Sequence, residues 1–237
     1  LCLGGMSVYD SFLHTFGSLG TGGFSNYNDS VGHFNTYIQI VILIFMILAG
    51  MNFNLFFVLQ RKGLRKFLHD DELRFYLAVI GIASTAILIC NQVNSNFKDT
   101  ARSLLDSFFQ VVSILTTTGY MTDDYDLWPT FSRMILFCLF FFGGCSSSTS
   151  GGIKCVRVLV CLKLVRRSVS LRLHPNRIAP ITLNESEVPS EVIINITNFV
   201  FTYIAVIFAG MFLISVDNLD FMSTFSAVAT CVGNIGP

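Results

Sequence analysis

Four long apolar runs constrain this chain more than any other feature of its sequence. Each is long enough to cross the hydrocarbon core of a bilayer as a helix, which takes about 20 apolar residues. The runs cover roughly residues 34–59, 74–92, 130–161 and 191–216. They predict a helical membrane protein, because a helix satisfies its own backbone polar groups where no water is available.

The composition excludes two broad classes of protein. Charged residues make up 13% of the 237 residues, about half the share of a soluble domain, so a soluble globular enzyme is excluded. The 15 Lys and Arg residues are balanced by 15 Asp and Glu residues, which leaves no basic surplus for nucleic-acid phosphates. The seven cysteines contain no Cys-x-x-Cys pair, and they predict neither a zinc site nor a disulfide framework.

Charged residues beside the apolar runs predict the orientation of the chain. Basic residues cluster after the first run and between the third and fourth runs, and loops of this kind lie on the cytoplasmic side. They are Arg61, Lys62, Arg65, Lys66, Lys163, Arg166, Arg167, Arg172 and Arg177. Acidic residues dominate the opposite loops. We therefore expect a multi-pass protein whose chain begins outside, crosses four times and ends outside.

Three shorter apolar segments lie between the runs and form an internal repeat. Aligned without gaps, they read DSFLHTFGSLGTGGF from Asp10, DSFFQVVSILTTTGY from Asp106 and DFMSTFSAVATCVGN from Asp220. Each is too short to span the membrane and begins with an aspartate, which suits the N-cap and the positive end of a helix. Each reaches a glycine thirteen residues later, so we predict half-membrane helices ending in turns at Gly23, Gly119 and Gly233.

The predicted repeating unit is a span, a half-membrane pore helix, a glycine turn and a second span. Residues 1–60 then hold the pore helix, turn and following span of the second repeat, and residues 61–162 hold the third repeat. Residues 163–190 form a cytoplasmic loop, and residues 191–237 begin the fourth repeat. The expected fold is an all-α membrane protein whose membrane–pore-loop–membrane units surround a pseudo-fourfold pore. On this interpretation the chain is a fragment that lacks the first repeat and the last span.

The three turns carry the chemistry expected at the centre of such a pore. Non-helical backbone at membrane depth is tolerated only where it is buried in protein or lines a wet cavity. Glycine lets carbonyls point inward, and rings of carbonyls replace the water shell of a dehydrated K⁺. The predicted ion-binding residues are Thr21, Gly22, Gly23, Thr117, Thr118, Gly119, Cys231, Val232 and Gly233. The alternative is that these are ordinary glycine turns of a helical membrane protein.

The turns and the segment after the second one resemble the Trk-type potassium uptake proteins of the Trk/Ktr/HKT superfamily. The stretches are GTGGFS (20–25), TTTGYMTDDYDLWPTFSRMILFCLFFFGGCSSSTSGGIK (116–154) and CVGNIGP (231–237). The resemblance implies four membrane–pore–membrane repeats around one permeation path, with K⁺ as the transported ion and no organic cofactor. It also implies a homodimer in the lipid of the cell inner membrane and a cytosolic nucleotide-binding regulatory subunit.

A stretch of small residues interrupts the third apolar run about 13 residues after that run begins, near or below mid-membrane. Four glycines and five hydroxyl side chains disfavour a continuous helix, and broken helices mark the pathway in transport proteins. The resemblance implies that this intramembrane loop is a gate. The implied gate residues are Gly143, Gly144, Ser146, Ser147, Ser148, Thr149, Ser150, Gly151 and Gly152. The alternative is a kinked helix packed through its small residues.

Lys154 and Arg157 follow this loop one helical turn apart. They suit a response to a gate, contact with a cytoplasmic partner, or side chains that extend to the inner membrane surface. The sequence leaves these interpretations open.

No motif in the chain predicts an enzyme. The serine-rich loop lacks G-x-S-x-G, and Ser150 stands four residues before Lys154 rather than the three of S-x-x-K. The chain also lacks the phosphate motif G-x-x-x-x-G-K and the zinc motif H-E-x-x-H. The remaining alternatives are an ion-coupled transporter of another small substrate and a non-conducting membrane scaffold.

Overall fold

The computed structural model describes residues 1–94, 99–174 and 179–236. Arg177, one of the predicted cytoplasmic residues, and Pro237, the end of the predicted fourth-repeat segment, lie outside the described residues. The described chain forms ten α-helices and one short antiparallel hairpin. The elements are α1 (Val8–Leu19), α2 (Thr36–Ala49), α3 (Asn54–Lys62), α4 (Leu64–Leu68), α5 (Asp71–Val93), α6 (Thr100–Leu115), α7 (Thr130–Leu139), α8 (Cys155–Leu173), β1 (Thr182–Leu183), β2 (Ser186–Glu187), α9 (Ser190–Ile214) and α10 (Phe221–Gly233).

Two helical stretches are long and apolar enough to cross a membrane on their own. They are α5 and Ser190–Asp217, which is α9 followed by one short 3₁₀ turn. They confirm the second and fourth predicted spans as single helices. The pair α2 and α3 passes the same test together, but its two helices are bent by 87°.

The prediction of one helix through residues 34–59 is wrong. Helix α2 ends at Ala49 and α3 begins at Asn54 in a different direction. Gly50, the C-cap of α2, packs closely against other segments, since a methyl group built on it would lie 2.5 Å from Tyr76 Oη and 2.7 Å from Thr116 Cγ2. The apolar pattern does not reveal this break, because the partners of the freed backbone groups, Cys145 N–H and the Ser147 carbonyl, come from a distant part of the chain.

The predicted interruption of the third run is confirmed. Helix α7 ends at Leu139, α8 begins at Cys155, and residues 140–154 are not helical. The alternative of a kinked but continuous helix is therefore wrong. The interruption begins earlier than predicted, since helical structure stops four residues before Gly143.

The main buried cluster surrounds α6, which packs against α2, α5 and α7. Its side chains Val111, Val112 and Leu115 are fully buried. A smaller cluster joins α9 to α10 through Ile207 and Val228. Between membrane helices such contacts stabilise by close van der Waals packing rather than by exclusion of water. The turn that follows α6 consequently starts from a helix whose C-terminal half is buried.

The aspartates of the repeat do not all cap their helices as predicted. Asp220 caps α10 through its side chain, but Ser7 caps α1 and Asp99 caps α6. Asp10 and Asp106 lie inside α1 and α6 instead. Their carboxylates are therefore free to bond to other segments.

The segment between α8 and α9 folds back onto the start of α5. Helix α8 continues to Leu173, and the β1–β2 hairpin pairs Thr182 with Glu187 and Leu183 with Ser186. Lys163 of α8 donates to Asp71 Oδ2 over 3.0 Å and to the Thr182 carbonyl over 2.7 Å. This bridge ties the hairpin and α8 to α5.

Candidate ion-conduction site

Each of the helices α1, α6 and α10 is followed by a turn of the same backbone conformation. In each turn a residue with a side chain and the glycine two positions later both have positive φ, a region that favours glycine. The pairs are Thr21 (49°) with Gly23 (63°), Thr117 (56°) with Gly119 (82°), and Asn234 (57°) with Gly236 (90°). In each turn the N–H between the pair donates to the carbonyl five residues earlier. These bonds are Gly22 to Gly17 at 2.9 Å, Thr118 to Ser113 at 2.8 Å and Ile235 to Thr230 at 2.9 Å.

The third turn lies three residues later than predicted. Cys231, Val232 and Gly233 belong to the last turn of α10, and the positive φ values occur at Asn234 and Gly236. The placement of this turn at 231–233 is therefore wrong. The three turns are residues 21–23, 117–119 and 234–236, and are called the first, second and third turns below.

The physical reason is the difference in helix capping. The gapless alignment treated Asp220 as the counterpart of two aspartates that lie inside their helices. Asp220 is an N-cap, so its counterpart in α1 is the N-cap Ser7. Gly23 and Gly236 each lie sixteen residues after these caps, which brings the first and third turns into register, whereas Gly119 lies twenty residues after the cap Asp99 because α6 is four residues longer than α1.

The three turns meet at the carbonyl group of Thr118. A methyl group built on Gly23 would overlap the Thr118 carbonyl oxygen. One built on Gly236 would lie 3.9 Å from that oxygen and 3.9 Å from Gly119 Cα. Three turns that are far apart in sequence therefore share one small volume, and the backbone of the second lies against both others.

Tyr120 joins the first and second turns, and sequence reasoning gave it no such role. Its side chain is fully buried, and its hydroxyl donates to the Phe24 carbonyl over 3.2 Å. Ser113 Oγ holds the other end by donating to the Tyr120 carbonyl over 2.6 Å. A methyl group on Gly17 would overlap the Tyr120 hydroxyl, so the Tyr120 side chain packs closely against α1.

Asp10 and Asp106 brace the chain beyond the first and second turns in the same way. Asn26 Nδ2 donates to Asp10 Oδ1 over 2.8 Å, and Thr122 Oγ1 donates to Asp106 Oδ1 over 2.8 Å. Each donor lies three residues after the glycine of its turn. Arg102 pairs with the Asp106 carboxylate at 2.9 Å and strengthens the second brace.

The interrupting segment, residues 140–154, forms a closed loop whose two ends pair with each other. Gly143 N–H donates to the Ile153 carbonyl over 2.7 Å, and Ile153 N–H donates to the Phe141 carbonyl over 3.3 Å. A methyl group on Gly143 would overlap the Gly151 carbonyl oxygen, which explains why glycine stands where the two ends of the loop pair.

The loop lies against all three turn regions. Thr21 Oγ1 donates to the Thr149 carbonyl over 3.1 Å, and Gly151 N–H donates to Thr117 Oγ1 over 2.6 Å. A methyl group on Gly151 would overlap the Gly233 carbonyl oxygen. The structure thus brings the predicted gate residues and the predicted ion-binding residues together, and the two threonine hydroxyls bond to the loop.

A buried glutamate that sequence reasoning missed holds the first part of the loop. The Glu72 carboxylate accepts from Ser146 N–H at 2.5 Å, from Ser146 Oγ at 2.6 Å and from Val156 N–H at 3.2 Å. Asn52, in the break between α2 and α3, donates to Ser146 Oγ over 3.1 Å. In the sequence Glu72 follows Asp70 and Asp71, a pattern typical of a solvated helix start, so its burial gave no signal.

Lys154 and Arg157 contact different neighbours. Lys154 is half-buried, and its ammonium group donates to the loop at Ser148 and Ser150. The Arg157 guanidinium lies 3.8 Å from the centre of the Phe199 ring on α9. Of the open interpretations for Lys154, these contacts favour an action on the loop.

The site offers oxygen atoms rather than a cluster of metal-binding side chains. Within the described residues, no group of three or more His, Cys, Asp or Glu residues is placed to hold a metal ion. The turns present backbone carbonyls and two threonine hydroxyls. Oxygen ligands without full charge are those that replace the water shell of a monovalent cation.

The fold and this site define a helical membrane protein in which non-helical backbone is buried inside the bundle, as in transport proteins. A family model described as "TrkH: Cation transport protein" matches residues 3–237. The chain therefore belongs to the TrkH cation transport protein family.

Known relatives agree with this assignment. The chain is 35% identical over 242 residues to the Trk system potassium uptake protein TrkH of Salmonella typhimurium, covering 100% of this chain and 50% of the relative. It is 32% identical to TrkG of Escherichia coli K12, covering 99% and 48%. The crystal structure of the potassium transporter TrkH from Vibrio parahaemolyticus superposes with a TM-score of 0.93 at 29% identity, covering 99% of this chain and 51% of that one. The chain thus spans about half the length of the curated relatives it matches.

Replacing Glu72 by Gln should loosen the loop and destabilise the fold. The change removes a charge that accepts four hydrogen bonds, and a bond to a charged group contributes about 1.5–3 kcal/mol. We expect the unfolding temperature of the purified full-length protein in detergent to fall by about 5 °C or more. Glu191→Gln, at an exposed position in the first turn of α9, is the matched control and should leave that temperature unchanged. Equal temperatures for both variants would contradict the anchoring role.

Proposed function

We propose that the full-length protein takes up K⁺ across the cell membrane through a filter to which the three turns contribute. The observation that carries this proposal is the meeting of three turns of one conformation at the Thr118 carbonyl. Backbone carbonyls replace the hydration shell of K⁺, and the C-terminal ends of α1, α6 and α10 add partial negative charge beside them. The names of the relatives, which are potassium uptake proteins, support K⁺ as the ion.

The proposed ion-binding backbone comes from residues 21–23, 117–119 and 234–236, the last range replacing 231–233. In this proposal the three turns occupy three quadrants of a pseudo-fourfold pore, and the fourth quadrant comes from outside this chain. Two features support equivalent quadrants: the shared φ values and the matching braces from Asp10 and Asp106.

The loop at 143–152 is the proposed gate. It bonds directly to Thr21 and Thr117 and touches the end of α10, so in this position it closes the route past the turns. Passage requires the loop to leave these contacts. The membrane potential then drives the cation inward, with about 2.3 kcal/mol per charge for each 100 mV.

The setting of the protein completes the proposal. Exposed phenylalanines on α9, such as Phe201, Phe208 and Phe212, suit contact with lipid in a multi-pass inner-membrane protein. We also propose a homodimer that binds a cytosolic nucleotide-binding regulatory subunit and needs no organic cofactor. The family is one of cation transport, which supports a transporter rather than an enzyme.

Gly119→Asp should abolish transport. The change puts a side chain where φ is 82° and a fixed charge beside the Thr118 carbonyl. Backbone strain alone costs about 1–2 kcal/mol at such a position, so we expect rubidium uptake to fall at least about tenfold. The assay uses the full-length protein in cells without their own K⁺ uptake systems, at matched membrane expression.

Gly63→Asp is the matched control, because Gly63 has a φ of 81° but is exposed and has no neighbouring atom within 4 Å of an added methyl group. It introduces the same side chain at another position of positive φ, away from the turns, and should keep wild-type uptake. If Gly119→Asp transported as well as the wild type, the filter assignment would fail.

Gly236→Ala and Gly233→Ala distinguish the two registers of the third turn. Alanine at 236 is strained by a φ of 90°, whereas alanine at 233 keeps helical backbone and meets Ile235 Cδ1 at 3.2 Å and the Phe140 carbonyl oxygen at 3.3 Å, so that it needs only a shift of a few tenths of an ångström. We expect Gly236→Ala to lower rubidium uptake about fivefold or more and Gly233→Ala to lower it much less. The reverse order would favour 231–233 as the filter segment.

Deletion of residues 147–149 tests the gate. Removing them takes away Thr149, which bonds to Thr21, and shortens the segment in front of the turns. We expect rubidium uptake to rise about threefold or more, because the closed position loses stability relative to the open one. Unchanged or abolished uptake would count against a gate.

A further inference from the structure

The two arms of the loop are held by different means. The first arm, residues 145–147, is tied to the break between α2 and α3 and to Glu72. The second arm, residues 148–151, is the part that lies against the turns, where it bonds to Thr21 and Thr117. Two further bonds come from its hydroxyls: Thr149 Oγ1 donates to the Ala49 carbonyl over 3.3 Å, and Ser148 Oγ donates to the Cys145 carbonyl over 2.5 Å.

Lys154, at the C-terminal end of the interrupting segment, bonds to the second arm. Its ammonium group donates to the Ser148 carbonyl at 3.4 Å, to Ser148 Oγ at 3.3 Å and to the Ser150 carbonyl. Among the described residues, Lys154 is the one charged side chain that bonds to this arm. Because Lys154 is also the N-cap residue of α8, it connects the arm to a long helix.

Two features oppose this held position, whereas the nearby Glu72 carboxylate favours it. The ammonium group lies at the positive end of the α8 dipole, and Arg157 adds a like charge one turn further on. The buried Ser150 Oγ has no hydrogen-bond partner, which is a cost of the present position. The bonds from Lys154 to the two carbonyls offset these unfavourable terms. An element balanced in this way can move when a single charged contact is lost.

We propose that Lys154 is a latch that holds the second arm of the loop against the turns, and that opening requires its ammonium group to leave the Ser148 and Ser150 carbonyls. This inference rests on the proposed function, because it gives one residue of the site control over the proposed gate. Glu72 and the helix break hold the first arm in both positions. The moving part is then residues 148–151.

The latch predicts a gain of transport when it is removed. Lys154→Met keeps the length and apolar stem of the side chain but has no charge and no donor. In the full-length protein, at matched membrane expression, we expect Lys154→Met to raise rubidium uptake about five- to tenfold over the wild type. Lys154→Arg keeps charge and donors and should stay near the wild type. A purely structural lysine would change uptake in the opposite direction, since its loss lowers transport.

Lys163→Met is the matched control on the same helix. The Lys163 ammonium also makes two bonds, to Asp71 and Thr182, but it does not contact the loop. We expect this variant to transport at the wild-type rate. If Lys154→Met does not accumulate in the membrane, Lys154→Leu, which also has neither charge nor donor, provides a second test with the same expected rise.

The outcomes separate the latch from the proposed function. Both the latch and the proposed function are supported if the wild type takes up rubidium, Gly119→Asp abolishes that uptake, and Lys154→Met raises it while Lys154→Arg and Lys163→Met do not. If uptake in Lys154→Met equals or falls below that of the wild type while Gly119→Asp is inactive, the latch is overturned and the proposed function stands. A wild-type protein that takes up no rubidium overturns the proposed function and the latch with it.

Discussion

Backbone groups freed where a membrane helix breaks must find partners inside the protein, because the lipid core provides none. Here the backbone groups freed at the two helix breaks form hydrogen bonds with each other. The Gly50 carbonyl accepts from Cys145 N–H at 2.8 Å, and Phe53 N–H donates to the Ser147 carbonyl at 3.2 Å. The rest of the site depends on this exchange, since it places the loop between the α2–α3 break and the three turns.

The loop and the turns are coupled through short, direct contacts. Two threonine hydroxyls of the turns bond to the loop: Thr21 Oγ1 donates to the Thr149 carbonyl, and Thr117 Oγ1 accepts from Gly151 N–H. The proposed gate thus contacts two turns through single hydrogen bonds, which can break without any large movement of helices. The second of these turns follows α6, whose C-terminal half lies in the buried centre of the structure.

Much of the architecture was predictable because it depends on local composition. Long apolar runs identified α5 and α9, and clustered glycine and serine identified the interruption between α7 and α8. The first two turns were predicted in the correct register because Asp10 and Asp106 occupy equivalent positions inside their helices. The third failed because an aspartate can cap a helix or lie within it, and one residue type does not reveal which. The repeated glycine turns suggested a K⁺ filter, and the family resemblance supplied the gate.

The sequence by itself determined the membrane class, the three short helices ending in glycine turns and the non-helical loop, because apolar length and glycine content act locally. Tertiary structure decided the break at Gly50, the register of the third turn and the roles of Glu72, Tyr120 and Lys154. Each depends on which groups meet across long stretches of chain, as when the Gly50 carbonyl accepts from Cys145 N–H. Hydropathy and spacing do not predict such contacts, because a buried hydrogen bond needs two partners and a local pattern does not show which distant residue is the second one.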